Sequence, residues 1–314
     1  MEVVRWPGQE PASRSCAIVT LGVFDGVHVG HTAILQHVVG EARKRGCRAG
    51  VVTFDRHPAA LLGATPRPAI TSLEHRIRLF EALGLDLCVV VAFTESVAAM
   101  GAAEFARRVF HDLLGARLVV LGRDGRFGRD REGDADLCRS LGGELGFGVC
   151  TVPPVQVDGL RVSSTAIRAA IAQGDFGAAR RLLGRPYSLY GTVVRGAGRG
   201  RWLGYPTANV DVHNEAMPPE GVYAAWAFTD GEPIPSAVSI GRRATFEDGR
   251  AGELVVEVHL LDRTEDLYGQ DLEVRFVRRL RAQRPFASSQ ELAEQIAKDV
   301  ADCRDVLADD DGSL

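Results

Sequence analysis

Apolar positions change period along the chain, and the change divides it in two. From about residue 15 to residue 183, short, nearly continuous apolar runs alternate with stretches whose apolar residues recur every three or four positions. Residues 16–21, 49–54, 87–92, 117–121 and 148–152 read as strands buried on both faces. Helices are predicted over 32–44, with Ile34, Leu35, Val38, Val39 and Ala42 on one face, and from the capping box 71–74 onward, with Leu73, Ile77, Phe80 and Leu83 inward. Two more are predicted over 102–114 and 135–145. This alternation predicts a parallel α/β sheet covered on both faces, with ligands at the carboxyl ends of its strands. From Arg185-Pro186-Tyr187 the pattern becomes strands separated by turns, at 187–195, 221–228, 237–240, 254–261 and 272–280, with Thr-Asp-Gly at 229–231. A last helix over 290–307 places Leu292, Ile296, Val300 and Cys303 on one face. Many strands and one helix predict a small antiparallel β-barrel closed by a C-terminal helix. The expected organisation is one domain over 1–184, a second over 185–308 and an acidic tail over 309–314.

Composition narrows the partners. Two domains suit 314 residues, and 46% hydrophobic with 25% charged residues describes a soluble chain with ample core. A net charge of −4 supplies no basic excess, which argues against nucleic-acid and anionic-membrane partners. Local basic clusters at 195–201 and 275–284 suit a small phosphorylated ligand or a solvated face, and the second reads as the latter. The six cysteines (Cys16, Cys47, Cys88, Cys138, Cys150 and Cys303) show no C-x-x-C spacing, so buried thiols in a reducing cytoplasm are expected. MEVVRWPGQE lacks the apolar core of a signal peptide, and no apolar run is long enough to span a membrane. The expected location is cytoplasmic, and self-association into a homo-oligomer is left open.

The chemistry concentrates where strand 16–21 meets helix 32–44. That turn holds Gly22, Phe24, Asp25, Gly26, His28, Gly30 and His31. Glycines let the backbone approach a ligand, and the helix N-terminus favours a phosphate. His28 and His31, three apart, can face one anion. Asp55-Arg56-His57-Pro58 and the loop 122–134 also fall at strand ends, while Ser164, Thr165 and Arg168 open another polar helix start. Read alone, these stretches are equally surface histidines, N-caps and a solvated turn. As His-x-Gly-His at the mouth of a parallel sheet, the pair resembles the signature of the HxGH nucleotidyltransferases. In the second half, 196–201 is Gly-rich and basic but not a Walker A, and Gly204-Tyr-Pro-Thr207-Ala-Asn209 follows it. Glu257, between Val256 and Val258, reads by alternation as an outward polar strand position.

Taken in order, the blocks FDGVHVGH, VTFDRHP, GRDGRFGRDREGD, SSTAIR, LLGRPYS, GRGRWLGYPTANV, GVYA, VEVHLLD, DLYG and RPFASSQELAEQIAKDV resemble the bacterial bifunctional riboflavin kinase/FMN adenylyltransferases, or FAD synthetases, over nearly the whole chain. The resemblance implies a Rossmann-like HxGH nucleotidyltransferase domain followed by a β-barrel riboflavin kinase domain. It implies that ATP phosphorylates riboflavin to FMN, and that ATP and FMN then give FAD and pyrophosphate, with Mg²⁺. By the same resemblance His28 and His31 contact ATP phosphates within a nucleotide loop that includes Gly22, Phe24, Asp25 and Gly30. Ser164, Thr165 and Arg168 hold the leaving phosphates. Asp55, His57, Pro58, Asp124, Arg126 and Phe127 stand at the flavin end. In the kinase half, Gly196, Gly198 and Gly200 line the nucleotide loop, Thr207 and Asn209 bind Mg²⁺ and ATP phosphates, and Glu257 is the catalytic base. Four positions depart from the family pattern: Gly125 replaces a usual aromatic, Arg56 a common proline, and Arg242 and Ala244 a usual Thr and Pro. They motivate two alternatives, a paralogue acting on a modified flavin or another phosphorylated acceptor, and a flavin-binding regulator.

Overall fold

The computed structural model describes residues 1–13, 16–58, 67–196, 199–202, 204–229, 232–242, 252–263 and 266–310. Gly198, Ala244, residues 230–231 and residues 311–314 of the acidic tail lie outside the described residues. The chain forms two compact units, Met1–Arg67 with Leu73–Ser164, and Pro68–Ser72 with Thr165–Leu314.

In the first unit β1 (Glu2–Trp6), β2 (Ala17–Leu21), β3 (Arg48–Phe54), β4 (Leu87–Val91), β5 (Ala116–Gly122) and β6 (Gly148–Val152) form one parallel sheet in the order β1-β4-β3-β2-β5-β6. After β2 the chain builds to one side through β3 and β4, then crosses to the other through β5 and β6. The crevice beyond β2 and β5 is therefore the switch point where such sheets take ligands. Besides a single turn at Glu95–Ala98, the helices are α1 (Val29–Arg45), α2 (Leu73–Ala82), α3 (Ala102–Phe105), which runs into a π-helical stretch (Ala106–Leu113), and α4 (Ala135–Leu145). Successive strand residues serve opposite faces. Ile18, Val51, Val90 and Val120 pack with Leu35, Val38 and Phe80, while Val19, Val52, Val89 and Val119 pack with Phe105, Val109, Phe110 and Leu141. That division is why these strands read as unbroken apolar runs.

Three features differ from expectation. β1 is an additional strand, aligned with β4 from Glu2↔Leu87 to Trp6↔Val91; with only Val4 and Trp6 buried, its alternation is too brief to announce it. The helix expected over 102–114 is π-helical for most of its length. Cys16 and Cys47, expected as free thiols, form a disulfide, because the pairing of β2 with β3 brings their leading ends together. The other expectation for cysteine holds at Cys88, Cys138 and Cys303. Burial pushes the thiols of Cys88 and Cys138 up to about 12 and that of Cys303 to about 11, which makes them inert at neutral pH.

In the second unit β9 (Ser188–Val194), β10 (Ala208–Val212), β11 (Gly221–Phe228), β12 (Ile234–Arg242), β13 (Leu254–Leu260) and β14 (Asp271–Arg281) close a barrel in the order β10-β13-β12-β11-β14-β9, every pair antiparallel. The labels β7 (Gln156–Val157) and β8 (Leu160–Arg161) belong to a small hairpin of the first unit. Packing groups the helices differently from a boundary at 184/185. Helix α5 (Ser164–Gln173) and α6 (Phe176–Leu183) bury Ile167, Ile171, Phe176 and Leu183 in one cluster with Tyr223, Val258, Leu272 and Phe276 of the barrel. The rings of Phe176 and Phe276 stack at 5.1 Å.

The closing helix α7 (Ser289–Ala308) is capped by Ser288 and buries Cys303, Val306 and Leu307 against Ala224 and Leu261. Asp299 sits on its inner side and pairs with Arg281 of β14 at 2.7 Å. In the basic segment 275–284, Arg275 and Arg284 likewise pair with Glu273 and Glu291, so three of its five arginines are held in ion pairs. Asp299→Ala leaves Arg281 largely buried without its carboxylate and is expected to cost about 3 kcal/mol or more, seen as a lower midpoint in chemical unfolding.

Candidate active sites

Leu21 ends β2, and the chain then makes a strained turn before α1. Phe24 (φ 52°), Gly26 (φ 82°) and Val27 (φ 39°) all lie in the left-handed region. Four of the six described non-glycine residues of this kind (Phe24, Val27, Asp130 and Arg131) fall in the two loops that the sequence marks at the sheet mouth. Such strain is held only where the surroundings over-determine it, and it concentrates at functional sites. Gly22 is tied in by its N–H, which donates to the Val52 carbonyl at 3.0 Å. His28 caps α1, its Nδ1 accepting from the His31 N–H at 3.3 Å. The two imidazoles stack with centroids 3.5 Å apart, and Phe24 meets His31 edge-on at 5.2 Å. Gly30 opens the first turn of the helix between them. Two rings stacked over a 17-residue helix N-terminus present N–H donors and a positive dipole end to one anion.

The remaining first-half positions sort themselves. Ser164 reaches the turn directly, its hydroxyl donating to the carbonyl of the largely buried Asp25 at 3.1 Å. Asp55 holds the backbone, accepting from Arg56 N–H at 2.8 Å and Phe93 N–H at 3.0 Å, which ties the end of β3 to that of β4. His57 is exposed and Pro58 half-buried. In the loop 122–134, exposed Asp124 pairs with Arg161, and Arg126 lies 4.0 Å from Asp134. Phe127 turns inward, its ring buried against Phe105 and Phe110, where it anchors the loop. Gly125 has a structural reason, since a Cβ there would stand 3.0 Å from the Gly122 carbonyl. Thr165 and Arg168 belong to the second unit, where Arg168 Nε donates to the Pro68 carbonyl at 2.7 Å.

In that unit, β10 and β13 pair with Asn209 directly opposite Glu257. Their neighbours Val210, Val256 and Val258 enter the core, so Asn209 and Glu257 share the outward face. The Asn209 carboxamide is buried, and its Oδ1 accepts no hydrogen bond among the described residues. Gly196 and Gly200 lie so close that a Cβ on the first would overlap the Asn209 carboxamide, and one on the second the Tyr205 carbonyl, with Thr207 Oγ1 at 3.0 Å. Gly196 and Gly200 thus permit contact with the Thr207–Asn209 segment. A 430 Å³ cavity reaches Asn209 and Arg195 from the side of Glu253 and Leu254. Arg242 pairs with Glu220 at 3.1 Å and donates to the Gly252 carbonyl, a structural use of a departure from the family pattern. Gly196→Ala is expected to lower the activity of this site about tenfold or more by displacing Asn209, and to leave the first unit's activity unchanged in parallel assays.

Two side chains emerge only from the structure. His259 Nδ1 lies 2.7 Å from the Pro206 carbonyl, an acceptor, so that nitrogen carries the proton and steadies the turn leading to Thr207. Arg76 of α2 is buried with its guanidinium on the ends of β2 and β3. The available signal was a cation within the apolar stripe of Leu73, Ile77 and Phe80.

Comparison with known proteins follows the same division. The family model for FAD synthetase matches residues 10–166, and that for riboflavin kinase matches residues 183–307. The chain is 40% identical over 299 residues to the bifunctional riboflavin kinase/FMN adenylyltransferase of Pseudomonas fluorescens, covering 95% of each. It is 38% identical over 296 residues to that of Escherichia coli K12 (94% of each), and 35% identical over 288 residues to that of Bacillus subtilis (90% of each). A solved structure described as a macrolide-efflux protein from Streptococcus pneumoniae superposes with a TM-score of 0.80 at 30% identity, covering 96% of this chain and 98% of that one. Among the described residues of the present chain, no helix is long and apolar enough to cross a membrane. Matched along nearly its full length by both domains in order, the chain belongs to the bifunctional riboflavin kinase/FMN adenylyltransferase family.

Proposed function

We propose that the chain phosphorylates riboflavin to FMN and adenylylates FMN to FAD, with ATP as donor in both reactions. The observation that carries this reading is a pair of separately built polar sites on one chain: stacked His28 and His31 at the start of α1, and Asn209 beneath Gly196 with Glu257 opposite it on the neighbouring strand. Relatives covering 90–95% of the chain carry both activities in their names, which favours this reading over a paralogue or a flavin-binding regulator.

In the kinase half, Glu257 takes the proton of the primary ribityl hydroxyl as that oxygen attacks the γ-phosphorus of ATP and ADP departs. Gly196, close on Asn209, and Gly200, close on Thr207, help to position the triphosphate. The buried, unbonded Asn209 Oδ1 and the Thr207 hydroxyl are neutral oxygen donors of the kind Mg²⁺ accepts alongside phosphates and water. When bound there, the ion neutralises triphosphate charge. In the adenylyl-transfer half, a phosphate oxygen of FMN attacks the α-phosphorus of ATP in line and pyrophosphate leaves. The attacking group is already anionic, so the protein's task is positioning and charge stabilisation rather than base catalysis. His28, His31 and the free N–H groups of α1 supply the donors, while Ser164 holds the turn that carries them. Asp124 and Arg126 are our candidates for the flavin end.

We place the protein in the cytoplasm, with ATP, riboflavin and FMN as its small-molecule partners. Incubating the purified chain with riboflavin, ATP and Mg²⁺ and separating the flavins by chromatography tests the reading. FMN should appear first and FAD follow; FMN that accumulates without FAD removes the second activity, and unchanged riboflavin removes the first.

A further inference from the structure

Arg76 presents an uncommon combination. It projects from α2 into the first unit and is 5% exposed. Its Nη1 donates to the Val23 carbonyl at 2.5 Å and to the Thr53 hydroxyl at 3.1 Å, and its Nη2 donates to the Phe54 carbonyl at 3.3 Å. All three acceptors are neutral. Among the described residues no carboxylate forms an ion pair with it, and burial pushes the guanidinium below its usual range, opposed chiefly by the charge of Asp25. A buried cation satisfied only by neutral groups is expensive, and an apolar side chain would serve the packing of α2 more cheaply.

The acceptors show what the fork holds. Val23 precedes Phe24, whose backbone is left-handed and whose ring edges His31. Phe54 precedes Asp55, whose carboxylate fastens the turn after β4. One planar group therefore ties together the ends of two adjacent strands and the first residues of the turn that presents the stacked histidines. We infer that Arg76 is a positioning residue for adenylyl transfer, its guanidinium fork setting the Val23–Phe24 turn against which His31 is aligned. The inference rests on the reading of His28 and His31 as phosphate contacts.

Arg76→Lys keeps the charge but offers a point rather than a fork; Arg76→Met keeps bulk and offers no donor. Steady-state FAD formation from FMN and ATP is measured for both in the full chain, together with FMN formation from riboflavin and thermal unfolding. With misplacement of the histidines felt in the transition state, kcat for FAD formation should fall about tenfold in the Lys variant and about a hundredfold in the Met variant. KM for ATP and FMN should stay within about twofold, and riboflavin phosphorylation should be unchanged. Wild-type kcat in the Lys variant, a loss confined to KM, or a parallel loss of riboflavin phosphorylation overturns the assignment. Should the Met variant fail to fold, the Lys variant decides alone. A wild-type chain that makes no FAD sinks the underlying reading, a result distinct from an active wild type with indifferent Arg76 variants.

Discussion

His31→Ala is expected to stop FAD formation from FMN while FMN formation from riboflavin continues. The imidazole is one of two stacked at 3.5 Å over the start of α1, and in the proposed mechanism its removal takes away a donor to the developing phosphate charge. Loss of one such donor costs about a hundredfold to a thousandfold in rate. The fold should tolerate the change. The ring is half-buried and meets Phe24 only by its edge, while the backbone N–H of residue 31 still donates to the capping Nδ1 of His28. The kinase residues belong to the other compact unit, so both rates measured on one preparation make an internal control. Equal loss of the two activities would contradict separate sites.

Glu257→Ala should produce the mirror image. A primary hydroxyl is a poor nucleophile until its proton leaves, and a positioned carboxylate contributes about a hundredfold to ten-thousandfold. Glu257 stands opposite Asn209 on the outward face of the barrel, between core residues Val256 and Val258, so truncation removes little packing. FMN formation should collapse, and FAD made from supplied FMN should be unaffected. Undiminished riboflavin phosphorylation would remove Glu257 as the base. Asn209→Ala supplies a second view of the same site, because the buried carboxamide fills the space under Gly196.

Legibility varied with the range of the interaction. The strand at 148–152 and the helix at 135–145 were readable to the residue, since each carries a complete period bounded by glycine or a capping aspartate. β1 and β10 were not: the first is a brief edge strand, and the second lies inside a motif whose residues draw attention as chemistry. Glu257 read by alternation as an outward polar strand residue, which the structure confirms; that it faces Asn209 came from strand register. That Phe127 packs inward on Phe105 was not legible, because an aromatic in a polar loop looks the same in sequence whether it turns out or in. Arg76 was visible only as a charge on an apolar stripe.

What the sequence determined by itself was everything a local period or an ordered set of motifs can carry: a parallel α/β half, an antiparallel half with a terminal helix, and two sets of candidate phosphate-binding residues. Side-chain spacing within a strand or helix reports which way a residue faces, and that needs no knowledge of its neighbour. Tertiary structure alone decided who the neighbours are. It set Asn209 against Glu257, closed Arg76 on Val23 and Phe54, joined Cys16 to Cys47, and gave the helices α5 and α6 to the core of the barrel. Those pairings depend on register and packing among segments distant in the chain, where many partners satisfy the same local pattern and only the closed core selects one.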